Sequence, residues 1–174
     1  DLRRVGLSAR ERARERFASR CGYCGVHEDG VGATLTIDHH RPRSHGGTDE
    51  SENIVYACPR CNEHKGSYWH DADPPHIRLL DPGHEDLTLH LRESADGRLT
   101  GVTPEGVFFI EKLRLNRAPL VAHRARAQVS AVRAAELDHA REQVRALEQR
   151  IADLRVAVES TADAIQRRSS PKRS

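Results

Sequence analysis

The sequence predicts an α+β chain in which a small metal-stabilised unit precedes a long helix. Three observations carry this. All four cysteines fall in two C-x-x-C pairs, Cys21 with Cys24 and Cys58 with Cys61. Strand-, loop-, strand- and helix-forming segments follow one another between Cys21 and Tyr68. From about Pro119 to Arg167 the chain is built of Ala, Arg, Glu, Leu and Val without glycine or further proline. With 37% hydrophobic and only 4% aromatic residues, one apolar core across all 174 residues is not expected, so something besides burial must hold the fold.

Ser8 to Glu11 is a capping-box pattern that opens an expected helix over 8–19. A β-like run, Ala33 to Ile37, leads into a Gly-rich loop; a second run, Ile54 to Ala57, leads into a stretch free of Gly and Pro from Arg60 to Lys65 that reads as a helix. Asp73-Pro74-Pro75 breaks the chain. Leu87, Leu89 and Leu91 then alternate with polar residues as in a half-buried strand, and Ser94 to Gly97 turns it back into Leu99 to Val102, a hairpin. Thr103, Pro104 and Glu105 supply an N-cap, a first-turn proline and a first-turn acid for a helix over 104–115, with Asn116 at its end.

In the long helix, Leu137, Val144, Ile151, Val158 and Ile165 recur seven apart, with Ala140, Leu147, Leu154 and Thr161 three positions on. This is an a/d heptad pattern, expected to serve a homodimer or a partner protein as a coiled coil. The domain organisation expected is an Arg-rich N-terminal helix over 1–20, a zinc-stabilised unit over 21–70, a hairpin and helix extension over 71–116, the long helix over 117–168 and a disordered basic tail over 169–174. A net charge of +2 is too small to mark a nucleic-acid binder by itself, although both ends are basic, with Arg3, Arg4, Arg10, Arg12, Arg14, Arg16 and Arg20 at one and Arg167, Arg168, Lys172 and Arg173 at the other. No apolar run approaches the ~18 residues of a membrane span and no signal-peptide core follows the start, so a soluble, cytoplasmic protein is expected. The start at Asp1 and the absence of methionine suggest a trimmed or processed piece.

Two C-x-x-C knuckles in such a chain read as a tetrahedral four-cysteine zinc site formed by Cys21, Cys24, Cys58 and Cys61. Redox pairs are disfavoured because neither knuckle sits in a βαβ pattern. The gap between the knuckles exceeds the roughly 15–20 residues of a simple zinc ribbon, so a functional segment has been inserted. Four thiolates leave a zinc ion no open position, which makes this zinc structural and sends the search for chemistry into the insert.

The segments CGYCG, IDHHRPRSHGG, Glu52-Asn53 and CPRCNEHKG resemble the HNH endonucleases, in the subgroup whose ββα-metal (His-Me finger) motif is held between two zinc knuckles. The match to D-H-x-x-P-x-S-x-G-G runs through Asp38, His39, Pro42, Ser44, Gly46 and Gly47 and extends over about 21–67; GVTPEG and EKLRLN also look like the region that trails the motif in related proteins. The resemblance implies a metal-dependent endonuclease that hydrolyses phosphodiester bonds of DNA. His39 would be the general base that activates water, Asp38 and Asn62 the oxygen ligands of a catalytic Mg²⁺ or Mn²⁺, and Asn53 a residue that pins the loop between the strands. His64 is a weaker candidate ligand, because residues 62 and 64 lie about 200° apart on a helix.

The residues themselves leave two histidines open. Strand alternation places His40, not His39, on the face of Asp38, which makes His40 a competing second ligand. His45 reads as a solvated loop residue or a contact to the DNA backbone. Arg41, Arg43, Arg60 and Lys65 surround the expected site and suit phosphate contacts, with double-stranded DNA the expected partner. The alternative is a catalytically vestigial, zinc-stabilised DNA-binding or scaffold protein whose coiled coil recruits a partner.

Overall fold

Helix formation begins where the capping residues place it. The Ser8 hydroxyl accepts from Glu11 N, and the Glu11 carboxylate accepts from Ser8 N at 2.7 Å, so α1 (Ala9–Arg16) starts with two otherwise unpaired donors satisfied. The computed structural model describes residues 8–169; Arg3, Arg4 and the expected tail beyond Ser169 lie outside them. α1 stops short of the expected Ser19 because Ala18 and Ser19 take left-handed backbone, φ 49° and 58°. Its arginines are used internally. Arg10 Nε donates to Leu35 O at 2.8 Å, Arg16 donates to Ser51 O and Gly83 O at 2.5 and 2.7 Å, and Arg14 pairs with Glu28.

After the short helix α2 (Glu28–Val31), β1 (Thr36–His39) pairs antiparallel with β2 (Ile54–Ala57), Asp38 opposite Val55 and His39 opposite Ile54. The second strand falls where the sequence places it; the first is shifted toward its C-terminal end, into the DH pair itself. Cys58 then caps α3 (Pro59–Lys65), whose first position is proline, the residue that needs no hydrogen-bond acceptor there.

The extension contains a second antiparallel pair, β3 (Leu91–Glu93) with β4 (Leu99–Gly101), followed by α4 (Pro104–Lys112). The strand expected through Leu87 and Leu89 is instead a 3₁₀ turn, Leu87–Leu89, with Leu89 exposed. Asp86 explains the difference: its carboxylate accepts from Thr88 N at 2.9 Å, and this local side-chain bond curls the backbone where leucine alternation alone suggests extension. Asn116 accepts from Leu99 N and donates to Leu99 O, both at 2.8 Å, tying the hairpin to the segment before the last helix. Buried Arg124 reinforces this by donating to Gly97 O and Leu115 O.

The core collects Leu35, Val55, Tyr56, Phe109, Leu113 and Leu115, each at most 1% exposed. The final helix, α5, runs over Ala118–Ser169. The chain divides after Arg126 into two compact units. In the second, the heptad residues Leu137, Val144, Leu147, Ile151, Leu154 and Val158 are all exposed. No helix of the described residues is long and apolar enough to cross a membrane.

Phe109 is fully buried and its ring lies 6.2 Å from that of Tyr23. Phe109→Ala is expected to cost about 3–5 kcal/mol of stability, measured by denaturant unfolding of zinc-loaded protein.

Candidate active site

The two knuckles meet. The Sγ atoms of Cys21, Cys24, Cys58 and Cys61 all lie within 4.8 Å of one another, with Cys24 and Cys58 3.9 Å apart. A tetrahedral zinc with Zn–S of about 2.3 Å sets its sulfurs about 3.8 Å apart, so the cluster has the donors and the size for that ion. The first knuckle is shaped by a tight turn in which Gly25 N donates to Cys21 O at 2.8 Å with Gly25 at φ 74°. The second is the start of α3, where Cys61 N donates to the Cys58 sulfur at 3.5 Å.

Hydrogen bonding couples the four sulfurs: that from Cys24 lowers the pKa of Cys21, and that with Cys21 lowers Cys58 and pushes Cys24 and Cys61 up. Four thiolates at this separation require a bound positive charge. Arg117 supplies part of one, its Nη2 lying 3.6 Å from the Cys61 sulfur. Burial opposes the guanidinium charge, but hydrogen bonding to Cys61 and the field of the cysteines outweigh it and raise its pKa.

Asp38, His39 and Asn62 line one shallow depression of about 330 Å³ together with Pro42, Arg43 and Ser67. Asp38 sits at its buried edge, 7% exposed. Tyr23 Oη donates to Asp38 Oδ2 at 2.5 Å, and Lys65 Nζ lies 3.3 Å from Oδ1 and 3.2 Å from Oδ2. Burial, followed by the Asp38 charge and hydrogen bond, raises the Tyr23 pKa well above its usual range, so the phenol remains a donor. Lys65 also donates to His39 O at 2.8 Å. Its side chain is wholly buried, and burial lowers its pKa against the opposing pull of Asp38. The expectation that Lys65 contacts nucleic-acid phosphate is therefore corrected: the ammonium is enclosed and already paired.

Asn53 organises the loop between the strands. Its Oδ1 accepts from Arg41 N at 2.8 Å, its Nδ2 donates to Arg41 O at 3.1 Å and to Thr48 O at 2.8 Å, and its backbone O accepts from His40 N at 2.8 Å. Gly46 turns the loop with φ 80°, and a Cβ on Gly47 would overlap the Arg41 carbonyl oxygen, so this Gly-Gly pair admits no side chain at its second position.

The remaining residues separate. His39 directs Nε2 to Asp49 Oδ1 at 2.7 Å. His40 is buried with its ring edge-on to Trp69, 6.1 Å between centroids, and is not among the residues lining the depression. His64 turns toward a different groove, shared with Arg117 and His123, and burial lowers its pKa ahead of the nearby Arg114 and Arg117 charges. Arg41 stacks on Trp69 at 5.4 Å, Arg43 pairs with Asp49, and Arg60 pairs with Glu63 at 2.9 Å; all three are exposed. His45 stands 3.7 Å from Asp73. Sequence reasoning missed Tyr23, Asp49 and Arg117, none of which has a spacing that announces its partner.

Residues 21–68 match the HNH endonuclease family model. The match begins at Cys21 and takes in both C-x-x-C pairs, β1, β2 and α3. No curated protein and no solved structure matches the chain significantly. The HNH segment thus contains every candidate ligand and base, while the hairpin extension and α5 lie outside it.

Two outcomes follow. The HNH segment is expected to hold one zinc per chain, to lose it as pH falls and the thiolates protonate, and to unfold on chelation, followed by metal analysis and circular dichroism. Lys65→Ala, which leaves the Asp38 carboxylate buried without its cation, is expected to cost about 3–5 kcal/mol, read from the unfolding midpoint of zinc-loaded protein.

Proposed function

We propose that this chain is a metal-dependent HNH endonuclease that hydrolyses phosphodiester bonds of double-stranded DNA, stabilised by a structural zinc in the four-cysteine cluster. The observation that carries the reading is the convergence of Asp38, His39 and Asn62 on one depression inside the segment that matches the family. Asp38 and Asn62 present oxygen donors there, the type that hard divalent cations such as Mg²⁺ or Mn²⁺ take. A carboxylate offers about four lone-pair positions, so the bonds from Tyr23 and Lys65 leave Asp38 capacity for a cation. When bound, such an ion stabilises negative charge on the phosphate and on the departing 3′ oxygen.

The protein groups do the rest. His39 accepts a proton from the attacking water, a contribution of about 10²–10⁴ in rate. Asn53 holds the loop that frames His39 without touching the reacting atoms. Exposed Arg41, Arg43 and Arg60 hold phosphates, which gives affinity and salt dependence without base selection. The heptad face of α5 pairs with a second copy or a partner protein.

A second reading is favoured by one observation, the near-complete burial of Asp38 beneath Tyr23 and Lys65. It makes the chain a zinc-stabilised DNA-binding scaffold with a vestigial site. Plasmid nicking by zinc-loaded protein with added Mg²⁺ decides between them. On the endonuclease reading, His39→Ala loses about 10²–10⁴ in rate while retaining zinc and its unfolding midpoint; full activity in that variant removes His39 as the base, and an inactive parent protein that still binds DNA supports the scaffold.

A further inference from the structure

We propose that Asp49 is a positioning residue that fixes the tautomer and ring orientation of His39 and thereby assigns Nδ1 as the proton acceptor. This rests on His39 being the base of the proposed reaction.

The contacts around His39 Nε2 admit only one neutral tautomer. Nε2 lies 2.7 Å from Asp49 Oδ1 and 3.2 Å from Arg43 Nε. The first contact requires a proton on Nε2 and the second requires a lone pair, so both cannot be hydrogen bonds. The carboxylate contact decides. It is the shorter, and without a proton between them two lone pairs would face each other at 2.7 Å. Arg43 has its own acceptor, since its Nε and Nη2 both donate to Asp49 Oδ1, at 3.0 and 2.5 Å. In the neutral ring Nε2 therefore carries the proton and Nδ1 the lone pair. Among the described residues Nδ1 has no hydrogen-bond partner, and His39 lines the candidate depression.

Asp49 is itself held in place from two sides. Arg43 clamps the carboxylate, and the preceding peptide is fixed by the bond from Asn53 Nδ2 to Thr48 O at 2.8 Å. Loop pinning by Asn53 thus reaches the base through Asp49. Asp49 remains an anion: hydrogen bonds from His39, and next from Arg43, lower its pKa. In the reaction, one water O–H bond breaks as its proton passes to Nδ1 and the water oxygen attacks phosphorus. The bond from phosphorus to the 3′ oxygen breaks, and that oxygen takes a proton from solvent. The imidazolium formed already donates from Nε2 to a carboxylate, so no reorientation accompanies the transfer. The pair is two-thirds exposed at Asp49 and contributes little to stability, which separates positioning from folding.

The experiment uses full-length, zinc-loaded protein carrying ¹⁵N-histidine, with Asp49→Asn, Asp49→Ala, Asp49→Glu and, as a control, exposed Glu50→Gln. Long-range ¹H–¹⁵N spectra are expected to show His39 in the Nε2–H form in the parent protein and a mixed population in Asp49→Asn and Asp49→Ala. Plasmid nicking is expected to lose about 10- to 10³-fold in kcat in these two variants, with the unfolding midpoint unchanged, partial recovery in Asp49→Glu and no effect in Glu50→Gln. An unchanged tautomer overturns the proposal, as does a shifted tautomer with unchanged kcat. If the parent protein cuts no DNA, the endonuclease reading fails on its own, and the tautomer readout still decides whether Asp49 sets the state of His39.

Discussion

Four sulfurs gathered within 4.8 Å of one another set the geometry of the segment between them. Cys58 and Cys61 end β2 and begin α3, while Cys21 and Cys24 lie on the turn after α1, so gathering them closes the chain around the β1–β2 pair. The contact is continued by Gly22 N donating to Tyr56 O at 2.8 Å. Zinc binding in small domains is worth roughly 10–16 kcal/mol, comparable with the whole stability of an ordinary domain at about 5–15 kcal/mol. A chain with few aromatic side chains can depend on such a clamp where a larger core would otherwise be needed. The clamp also reaches the candidate active site through one residue. Tyr23 sits between the two cysteines of the first knuckle, and its hydroxyl is the donor that meets Asp38.

Asp38 is consequently held by two elements at once, the first knuckle through Tyr23 and the end of α3 through Lys65. A buried ion pair contributes little net stability once desolvation is subtracted, but removal of either partner is costly. What the pair supplies here is position: the carboxylate cannot rotate away from the edge of the depression without leaving an ammonium unpaired. Lys65 was readable in part from its spacing. It lies one helical turn after Cys61, and positions i and i+4 share a helix face, so a cysteine committed to the buried four-cysteine cluster draws the lysine inward with it. The basic composition of the surrounding loop suggested the opposite, and composition was the weaker guide.

The same contrast separates what the sequence shows from what it hides. Ile54 to Ala57, the Ser8 capping box and the Thr103-Pro104 helix start are legible because each depends on residues within one turn or one strand of the feature. The 3₁₀ turn at Leu87–Leu89 defeats the alternation rule because a single carboxylate, Asp86, satisfies the local backbone better than a ladder with no partner strand beside it. Asp49 and Arg117 are invisible for a different reason. Asp49 meets His39 across the loop, and Arg117 meets Cys61 from the residue just before the last helix; neither has periodicity or motif spacing, and only the folded path of the chain brings the partners together.

The paired histidines show how the strand pleat resolves an ambiguity that residue types alone cannot. Burial alternates through Asp38, His39 and His40, which are buried, half-buried and buried in turn, as strand pleating favours. Sharing a face with the candidate metal ligand would make His40 the natural second ligand if that face were open. It is not: the ring is covered by Trp69, the backbone N–H is committed to Asn53 O, and the imidazole Nδ1 is buried without a hydrogen-bond partner. Burial is also the main cause of a lowered His40 pKa, which favours the neutral ring. The candidate base therefore belongs to the less buried face. There His39 reaches both the Asp49 carboxylate and the candidate depression, while Asp38 lines the same depression at its buried edge.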